Sequence, residues 1–333
     1  MSDDRRLLQR LIAGPATGDA LARESGQTRA AVWKRIESLR EAGIAIDAAP
    51  GRGYALAQPL DLLDADAIRA RLAPDAAREL AALDVAWTID STSSELLRRP
   101  VPASGTAALL AERQSGGRGR RGRTWQSPLA AHLYLSTARG FGGGLARLGG
   151  LSLAAGVACA EALHALGFDA LRLKWPNDLV VPDGDGLRKL GGLLVEGGGE
   201  VAGPARAVVG IGLNVRMPPD AAGRIDQPWT DLAQLAGAGL PERSAIAGTV
   251  LSHLLPALAH FDADGLAPFL PRYAALDALA GRRVHLHGEG GEVDGVALGV
   301  AADGGLRVRG GDGVERRLHA GEVSVRALAD AAA

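Results

Sequence analysis

The chain has 333 residues, of which 47% are hydrophobic and 23% are charged, and its formal net charge is −1 at pH 7. This length and composition predict two or three domains with a sizeable buried core. The near-neutral charge excludes a global field directed at nucleic acid or membrane, so any basic surface must be local. The single cysteine, Cys159, excludes a disulfide framework and fits a reducing compartment.

No signal-peptide pattern is found at the amino terminus. The longest uncharged apolar run, 148–160, is shorter than the ~20 residues that a membrane-spanning helix needs. We therefore expect a cytoplasmic protein that has no membrane partner.

Residues 1–60 are predicted to form a winged helix-turn-helix domain. A helix over 3–13 is followed by a second helix that breaks near Gly26, and Thr28 caps a third helix that ends at Gly43. Two short strands around a glycine-rich turn follow, in the position of a wing. The residues predicted to contact DNA are Thr28, Arg29, Lys34, Arg35 and Arg52. The alternative is an ordinary three-helix module with a solvated basic face.

The rest of the chain is predicted to contain a linker over 61–75, a mixed α/β domain over 76–276 and a small β-barrel over 281–328. Apolar residues at helical spacing indicate a helix near 146–166, between segments with strand character. Short strands separated by glycine turns are typical of a small barrel. The predicted fold class is therefore α/β (α+β) and multidomain.

A loop rich in glycine and arginine, GGRGRRGRTWQSP, occupies residues 116–128. Its glycines match the dinucleotide pattern G-x-G-x-x-G, but Pro128 and a strand-like segment stand where that motif requires a helix. No Asp or Glu occurs over 113–160 to bind a ribose, so the pattern does not favour a Rossmann turn. Four arginines over 118–123 offer forked donors suited to phosphate and carboxylate. The alternative is a solvated basic loop.

Four further motifs stand out in the α/β region: DSTSS (90–94), KWPNDL (174–179), RKLGGLLVE (188–196) and GIGLNV (210–215). There is no P-loop, so any phosphate would be bound by cations and backbone amides. The only histidines with ligand spacing are His285 and His287, which alternate with apolar residues and are expected at the surface, so no metal site is predicted. The chain has only three lysines, and Lys174 and Lys189 fall within these motifs. Taken singly, Asn177 and Asp178 also fit a plain turn, and Lys189 also fits an exposed strand.

Together these motifs resemble those of the bifunctional biotin–protein ligases that double as biotin-operon repressors, the BirA family. The resemblance covers nearly the whole chain. The strings G-R-G-R-R-G-R-x-W-x-S-P and K-W-P-N-D-L are highly specific, and lipoate ligases share the catalytic fold without the arginine–glycine string. The resemblance implies a mixed-sheet catalytic domain like that of biotin and lipoate ligases, and an SH3-like β-barrel at the carboxy terminus.

The resemblance also implies an activity. Biotin would be adenylated with ATP and Mg²⁺ to biotinyl-5′-AMP and transferred to a lysine of the biotin carboxyl carrier protein, a subunit of acetyl-CoA carboxylase. Biotinyl-AMP would promote a homodimer that binds operator DNA and represses biotin synthesis, and no permanently bound cofactor is implied. Three alternatives stay open: a ligase whose first domain does not repress, a ligand-sensing transcription factor without catalysis, and ligation of lipoate or another carboxylate.

Site residues are carried over at matching positions. The implied catalytic residues are Lys189, Arg120 and Asp178, with Asp178 as the candidate proton acceptor. Contacts to biotin or its adenylate are implied for Ser91, Thr92, Ser93, Gln114, Arg118, Gly119, Arg120 and Lys189. The implied ATP side consists of Trp125, Asn177 and Asn214. Two positions depart from the family, which usually has Asn at Ser93 and often has Asn at His132.

Overall fold

The fold is that of a computed structural model that describes residues 3–49, 52–199, 203–288, 291–320 and 323–327. Its helices are α1 (Asp3–Ile12), α2 (Gly18–Ser25), α3 (Arg29–Glu41), α4 (Ala65–Ala70), α5 (Pro74–Glu79), α6 (Thr92–Arg98), α7 (Leu151–Ala165), α8 (Pro219–Ala222), α9 (Leu232–Ala236), α10 (Arg243–Asp264) and α11 (Leu270–Leu276). Its strands are β1 (Ile46–Ala49), β2 (Gly53–Leu56), β3 (Leu80–Ile89), β4 (Thr106–Gln114), β5 (Leu133–Phe141), β6 (Arg172–Lys174), β7 (Asp178–Asp183), β8 (Gly186–Gly199), β9 (Ala205–Leu213), β10 (Arg283–Gly288), β11 (Gly291–Val300), β12 (Leu306–Gly310), β13 (Glu315–Leu318) and β14 (Val323–Ala327).

The predicted winged helix-turn-helix is confirmed in α1–α3 and the β1–β2 hairpin. Gly26 ends α2 in the left-handed conformation with φ 65°, and the Thr28 hydroxyl accepts the Ala31 N–H at 3.2 Å to start α3. The face of α3 that packs inward consists of Val32, Ile36 and Leu39. Antiparallel pairing of β1 with β2 forms the wing.

A seven-stranded mixed sheet forms the centre of the molecule, in the order β3-β4-β5-β9-β8-β7-β6. Only the β3–β4 pair is parallel. Alternate residues of each strand point to opposite faces, so Leu110 belongs to the large core with α7 and α10, whereas Leu109 packs with Leu96 of α6. The predicted strands of this region are confirmed. Strand β7, which begins inside the KWPNDL motif, was not predicted from the sequence.

The helix α10 is long and apolar enough to span a membrane, but most of its apolar stretch is buried inside the protein. Among the described residues α10 is the only helix with this length and composition. Its apolar side chains join those of α7 in the core of the sheet domain, so burial within the protein accounts for its composition.

The carboxy-terminal strands form a five-stranded antiparallel sheet in the order β13-β12-β11-β10-β14. Among the described residues no pairing joins the edge strands β13 and β14, so this part of the predicted barrel is observed as an open sheet. The Trp175 indole N–H donates to the Gly304 carbonyl at 3.0 Å and ties this sheet to the central one.

A buried ion cluster ties the linker to the sheet domain. Arg243, at the start of α10, pairs with Glu112 of β4 at 2.7 Å and with Asp61 at 3.3 Å. Glu112 also accepts the Leu63 N–H at 2.6 Å. Burial disfavours the charge of Arg243, but Glu112 and Asp61 outweigh that effect and raise its pKa above the ordinary value. Residues 61–63 are thus held against the strand that leads to Gln114.

Replacing Arg243 with Met is expected to lower the free energy of unfolding by about 3–5 kcal/mol, because Glu112 then stays buried without its cation. Urea unfolding monitored by circular dichroism measures the change. The control is Arg78→Met, whose pair with Asp75 is exposed, so the loss there is expected to stay below about 1 kcal/mol. Equal losses in the two variants would contradict a structural role for the buried cluster.

Candidate active site

The floor of the candidate site is the face of the central sheet that looks away from α7 and α10. Ser136 of β5 and Gly210 of β9 are direct neighbours on this face. A Cβ atom at Gly210 would lie less than 3.0 Å from Ser93 Oγ, and one at Gly212 less than 3.0 Å from the Trp125 ring. These two glycines therefore let α6 and the loop before β5 approach the sheet closely.

A row of buried hydroxyl groups lies on this floor. The Thr92 N–H and hydroxyl donate to Gln114 Oε1 at 2.8 and 3.1 Å. Thr92 Oγ1 and Ser93 Oγ lie 2.7 and 2.9 Å from Ser136 Oγ. Since an amide oxygen only accepts, the hydrogen bonds run from Ser93 through Ser136 and Thr92 to Gln114. Every hydroxyl oxygen in the row keeps a lone pair that these hydrogen bonds do not use.

The start of α6 is fixed by Ser91, whose hydroxyl accepts the Ser94 N–H at 3.3 Å. This cap directs the first turn of the helix, with Thr92 and Ser93, onto the floor. Ser91, Thr92 and Ser93 are all buried. The predicted biotin contacts of the DSTSS motif thus lie together at one helix end.

The arginine–glycine loop folds into a compact turn over the end of β4. The Trp125 N–H donates to the Gly117 carbonyl at 2.9 Å, and the Gly119 N–H donates to the Arg123 carbonyl at 2.7 Å. A Cβ atom at Gly117 would lie 2.6 Å from Ser127 Oγ, so only glycine fits there. Ser127 also accepts a hydrogen bond from the Gln114 amide at 3.1 Å, which links the loop to the hydroxyl row.

Arg120 extends from this loop into the KWPNDL turn. Its guanidinium donates to Asn177 Oδ1 at 3.0 Å and also to the carbonyl of Ala320, which lies in the turn after β13. Burial lowers the pKa of Arg120, although the nearby Asp178 carboxylate opposes this shift. Arginine nevertheless keeps its charge at neutral pH. A partly desolvated cation of this kind is stabilised further by an anionic ligand.

Arg118 projects to the other side of the loop and pairs with Glu196 of β8 at 2.7 Å. The two side chains are 41% and 26% exposed. A pair this open contributes little to stability, so a ligand carboxylate or phosphate can replace Glu196 at low cost.

Lys189 forms the second cationic element of the site. Its ammonium lies 2.7 Å from Asp178 Oδ1 and 5.6 Å from the centroid of the Trp125 ring. Its backbone is fixed on both sides, since its N–H donates to the Pro228 carbonyl and its carbonyl accepts the Thr230 N–H, each at 2.9 Å. The ammonium therefore stands between an aromatic face and a carboxylate.

Two asparagines of the predicted ATP side are tied to the backbone of the site. The Asn177 amide donates to the Leu193 carbonyl of β8 at 2.7 Å. The Asn214 amide donates to the Thr230 carbonyl at 3.1 Å, and Asn214 is only 5% exposed. Both side chains hold the segments that carry Asp178 and Lys189, and their contacts to ATP stay predictions.

The Trp125 ring covers Gly212, and its indole N–H is buried without a hydrogen-bond partner among the described residues. Buried polar groups in proteins are usually paired. The unpaired N–H therefore marks a position where a ligand acceptor would be stabilised. This placement is compatible with the predicted adenine surface, which stays a prediction.

His132, whose role the sequence left open, is a buried acceptor. Its Nδ1 accepts the Val215 N–H at 3.1 Å, in the turn that follows Asn214. Burial, assisted by the charge of Arg243, lowers the pKa of His132 to about 3. The neutral ring thus orders the end of the GIGLNV motif at any physiological pH, and an Asn side chain offers a similar acceptor.

Contacts between side chains connect most of the predicted biotin and ATP residues into one group, and the five predicted DNA contacts lie on the winged helix-turn-helix. Sequence reasoning missed Ser127, Ser136 and Glu196. The sequence gives no clear signal for Ser136, because Thr137 and Arg139 are further polar residues of the same strand. Among the described residues no cluster of three potential metal ligands is found.

Comparisons with known proteins agree with this architecture. Three family models match the chain: an HTH domain (4–55), the Biotin/lipoate A/B protein ligase family (86–214) and the Biotin protein ligase C terminal domain (280–326). The bifunctional ligase/repressor BirA of Salmonella typhimurium is 40% identical over 93% of this chain and 93% of its own length. The Escherichia coli BirA is 39% identical over 93% and 92%.

Among solved structures, the biotin protein ligase from Aquifex aeolicus in complex with biotin and ATP is 27% identical, with a TM-score of 0.62 over 74% of this chain and 100% of that one. A mixed-sheet ligase domain thus follows a helix-turn-helix in a single chain. The chain belongs to the biotin protein ligase family, among its bifunctional ligase/repressors, and is a biotin ligase with a helix-turn-helix repressor domain. The predicted resemblance is confirmed, and a transcription factor without catalysis is not supported.

The buried His132 gives the stability of the fold a specific pH dependence. Its pKa is about 3 in the folded protein, against about 6.5 in an unfolded chain, so only the unfolded chain takes up this proton between those values. The stabilising contribution is complete above about pH 6.5 and is lost as the pH falls toward 3. Between about pH 7 and about pH 5, we expect this group to remove about 2 kcal/mol from the free energy of unfolding.

Urea unfolding of the parent and of His132→Asn at both pH values measures this contribution. The variant keeps an acceptor for Val215 but has no titrating ring, so its stability should fall by about 2 kcal/mol less over the same interval. His260→Asn is the control, since His260 is 45% exposed. Parallel pH curves for the parent and His132→Asn would disprove the assignment.

Proposed function

We propose that this site joins biotin to ATP, releases pyrophosphate and transfers the biotinyl group from biotinyl-5′-AMP to a lysine of the biotin carboxyl carrier protein. The observation that carries the proposal is the junction of two kinds of surface on one sheet face. A buried hydroxyl row ends at Gln114, and beside it stand the cations Arg118, Arg120 and Lys189. A neutral polar ring and an anionic tail fit side by side on such a surface.

In the first step an oxygen of the biotin carboxylate attacks the α-phosphorus of ATP. A carboxylate–phosphorus bond forms, the bond to the bridging oxygen breaks, and pyrophosphate leaves with the electron pair. Negative charge concentrates around the phosphorus. Arg120 contacts Asn177 and Lys189 contacts the adjacent Asp178, so both cations lie close together and can stabilise this charge. The hydroxyl row holds the ring of biotin so that its carboxylate reaches these cations.

We propose that Mg²⁺ binds to the site as a complex with ATP. Magnesium prefers a shell of carboxylate, phosphate and water oxygens. The described residues contain no cluster of three potential ligands, and Asp178 is engaged by Lys189. Among the described residues nothing forms a magnesium site, and we expect the ion to arrive bound to the phosphates of the nucleotide.

In the second step the acceptor lysine attacks the activated carbonyl, a carbon–nitrogen bond forms, and AMP leaves with the electrons of the carbon–oxygen bond. A free lysine has a pKa of about 10.4, so its ammonium must lose a proton before or during the attack. We propose Asp178 as the acceptor of that proton. Its contact with Lys189 at 2.7 Å has to loosen first, which occurs when Lys189 turns to the adenylate phosphate.

Replacing Lys189 with Ala is expected to slow adenylate formation by about 10²–10³-fold, because a cation at the developing charge is lost. Pyrophosphate release in a single-turnover assay with biotin and ATP measures the change. Arg78→Ala is the control, since this exposed cation lies on α5, away from the site. Near-parental pyrophosphate release by Lys189→Ala would remove Lys189 from the reaction.

For the DNA-binding half, we propose that the exposed basic residues Arg29, Lys34 and Arg52 contact operator phosphates. Arg29 pairs with Asp19 at 3.2 Å, but both side chains are more than 60% exposed, so DNA can replace Asp19 at low cost. The Thr28 hydroxyl accepts the Ala31 N–H and keeps its own hydrogen for a phosphate.

Arg35 is placed differently from the other cations of the winged helix-turn-helix. It is bound to Asp3 at 2.6 Å, Asp4 at 2.8 Å and Gln27 at 2.9 Å. It therefore joins α1 to α3 in the free protein, and its phosphate contact would require it to leave these partners. We keep the phosphate contact of Arg35 as a prediction.

We further propose that the chain is divided into domains with separate functions. Residues 1–60 bind the operator, 61–75 form a linker, 76–276 carry out ligation, and 281–328 form a supporting β domain. The family matches at 4–55, 86–214 and 280–326 support this division. The cytoplasm is the proposed location, since both ATP and operator DNA are found there.

Biotin together with ATP is expected to strengthen dimerisation and, through it, operator affinity. Holding residues 115–124 over the adenylate would lower the entropic cost of placing that surface at a subunit interface. The expected coupling is about 1–3 kcal/mol per site. Sedimentation measures the monomer–dimer constant with and without adenylate, and a gel shift measures operator affinity in the same buffers. If neither quantity changes, the ligase stands and adenylate-dependent repression does not.

A further inference from the structure

An indole side chain lies open to solvent on the third helix of the winged helix-turn-helix. Trp33 is 53% exposed, whereas Val32 beside it is 1% exposed. Among the described residues only three other large hydrophobic side chains, Ile12, Val296 and Val314, are exposed to a comparable degree. Leaving a side chain of this size in water forgoes stabilisation by burial, and such residues often mark contact surfaces.

The neighbours of Trp33 define the surface it belongs to. Residues four apart on a helix share a face, so Trp33 stands next to Arg29, with Ala30 and Lys34 beside them. All four are exposed, and the buried stripe of Val32 and Ile36 lies on the other side of α3. Ala30 is small and leaves the flat side of the indole open to a partner.

The charges around Trp33 select the partner. Arg29 and Lys34 flank the indole on the helix, and Arg52 is exposed on the turn of the wing. An apolar ring between cations matches the major groove of duplex DNA, where base edges lie between two rows of phosphates. The indole supplies a donor and no acceptor. It therefore suits the thymine methyl group and the acceptor atoms of guanine or adenine.

We propose that Trp33 is the main sequence-specifying residue of this helix, and that its indole contacts base edges in the major groove of each operator half-site. Arg29 and Lys34 hold the phosphates on either side and set the register of the helix. This inference rests on the proposed operator binding and names the residue that decides which operator is bound.

Selection of bound duplexes from a random pool tests the proposal. The full chain is used with biotin and ATP, as the parent and as Trp33→Ala, Trp33→Phe and Lys34→Ala. Trp33→Ala should lose base preference at one or two positions of each half-site and bind the parental sequence about 5- to 150-fold more weakly. Its binding to unrelated DNA and its salt dependence should stay near parental values.

The other variants separate base contact from phosphate contact. Trp33→Phe should keep a thymine preference, because the ring remains, and lose preferences that need the indole N–H. Lys34→Ala should weaken binding to all sequences and lower the slope of affinity against salt by about one per subunit. Because Trp33 lies on the winged helix-turn-helix and not in the candidate active site, ligase activity per molecule should be unchanged in Trp33→Ala.

Two results would overturn the proposal while leaving operator binding intact. In one, Trp33→Ala selects the parental sequence with parental affinity. In the other, it weakens the monomer–dimer constant by the same factor as operator affinity, which would make Trp33 a subunit contact. If the parent with adenylate selects no sequence, operator binding itself fails, and the proposal for Trp33 fails with it.

Discussion

The candidate active site depends on how closely other parts of the chain approach strand β9. At Gly210 and Gly212 a side chain would collide with the Ser93 hydroxyl and the Trp125 ring. Because strand residues alternate between faces, Ile211 packs into the core while its two glycine neighbours form the floor of the site. The two glycines of the GIGLNV motif are thus required at this spacing for steric reasons. They let a helix end and a loop rest directly on the backbone of the sheet, where the hydroxyl row and the aromatic surface then meet.

The cations of the site share one electrostatic arrangement. Lys189 is held by Asp178, Arg118 by Glu196, and Arg120 by the oxygen of Asn177. Each cation is therefore oriented by an oxygen acceptor that a carboxylate or phosphate can replace. Preorganised donors of this kind need little rearrangement when negative charge develops beside them.

The site and the DNA-binding part share one continuous stretch of chain. Trp125 and Ser127 belong to the site, and Leu129 and Ala130, a few residues later, pack into the core of the winged helix-turn-helix. The Leu129 N–H also donates to the Ala42 carbonyl at 3.3 Å, just beyond the end of α3. The arginine–glycine loop is therefore followed directly by residues that are buried in the core of the winged helix-turn-helix.

The sequence by itself determined the features that depend on neighbouring residues. Thr28 caps α3 by accepting the N–H of a residue three positions away, and Gly26 ends α2 because it adopts a left-handed conformation. The arginine–glycine string is recognised directly from its amino-acid composition. Such features form through short-range geometry, so a pattern of a few residues is enough to predict them. The motifs also carried the family resemblance and most residues of the site.

Only the tertiary structure decided which of these residues face one another. Arg118 meets Glu196 across 78 positions, and Arg120 reaches the Ala320 carbonyl across 200. The place of Ser136 in the hydroxyl row depends on the β5–β9 register, since a shift by one residue would turn it into the core. Arg35, which the sequence presents as one more free cation, is turned inward by the acidic start of α1. Contacts of this kind depend on strand order, register and helix packing, and these are set by the whole core rather than by any local run of residues.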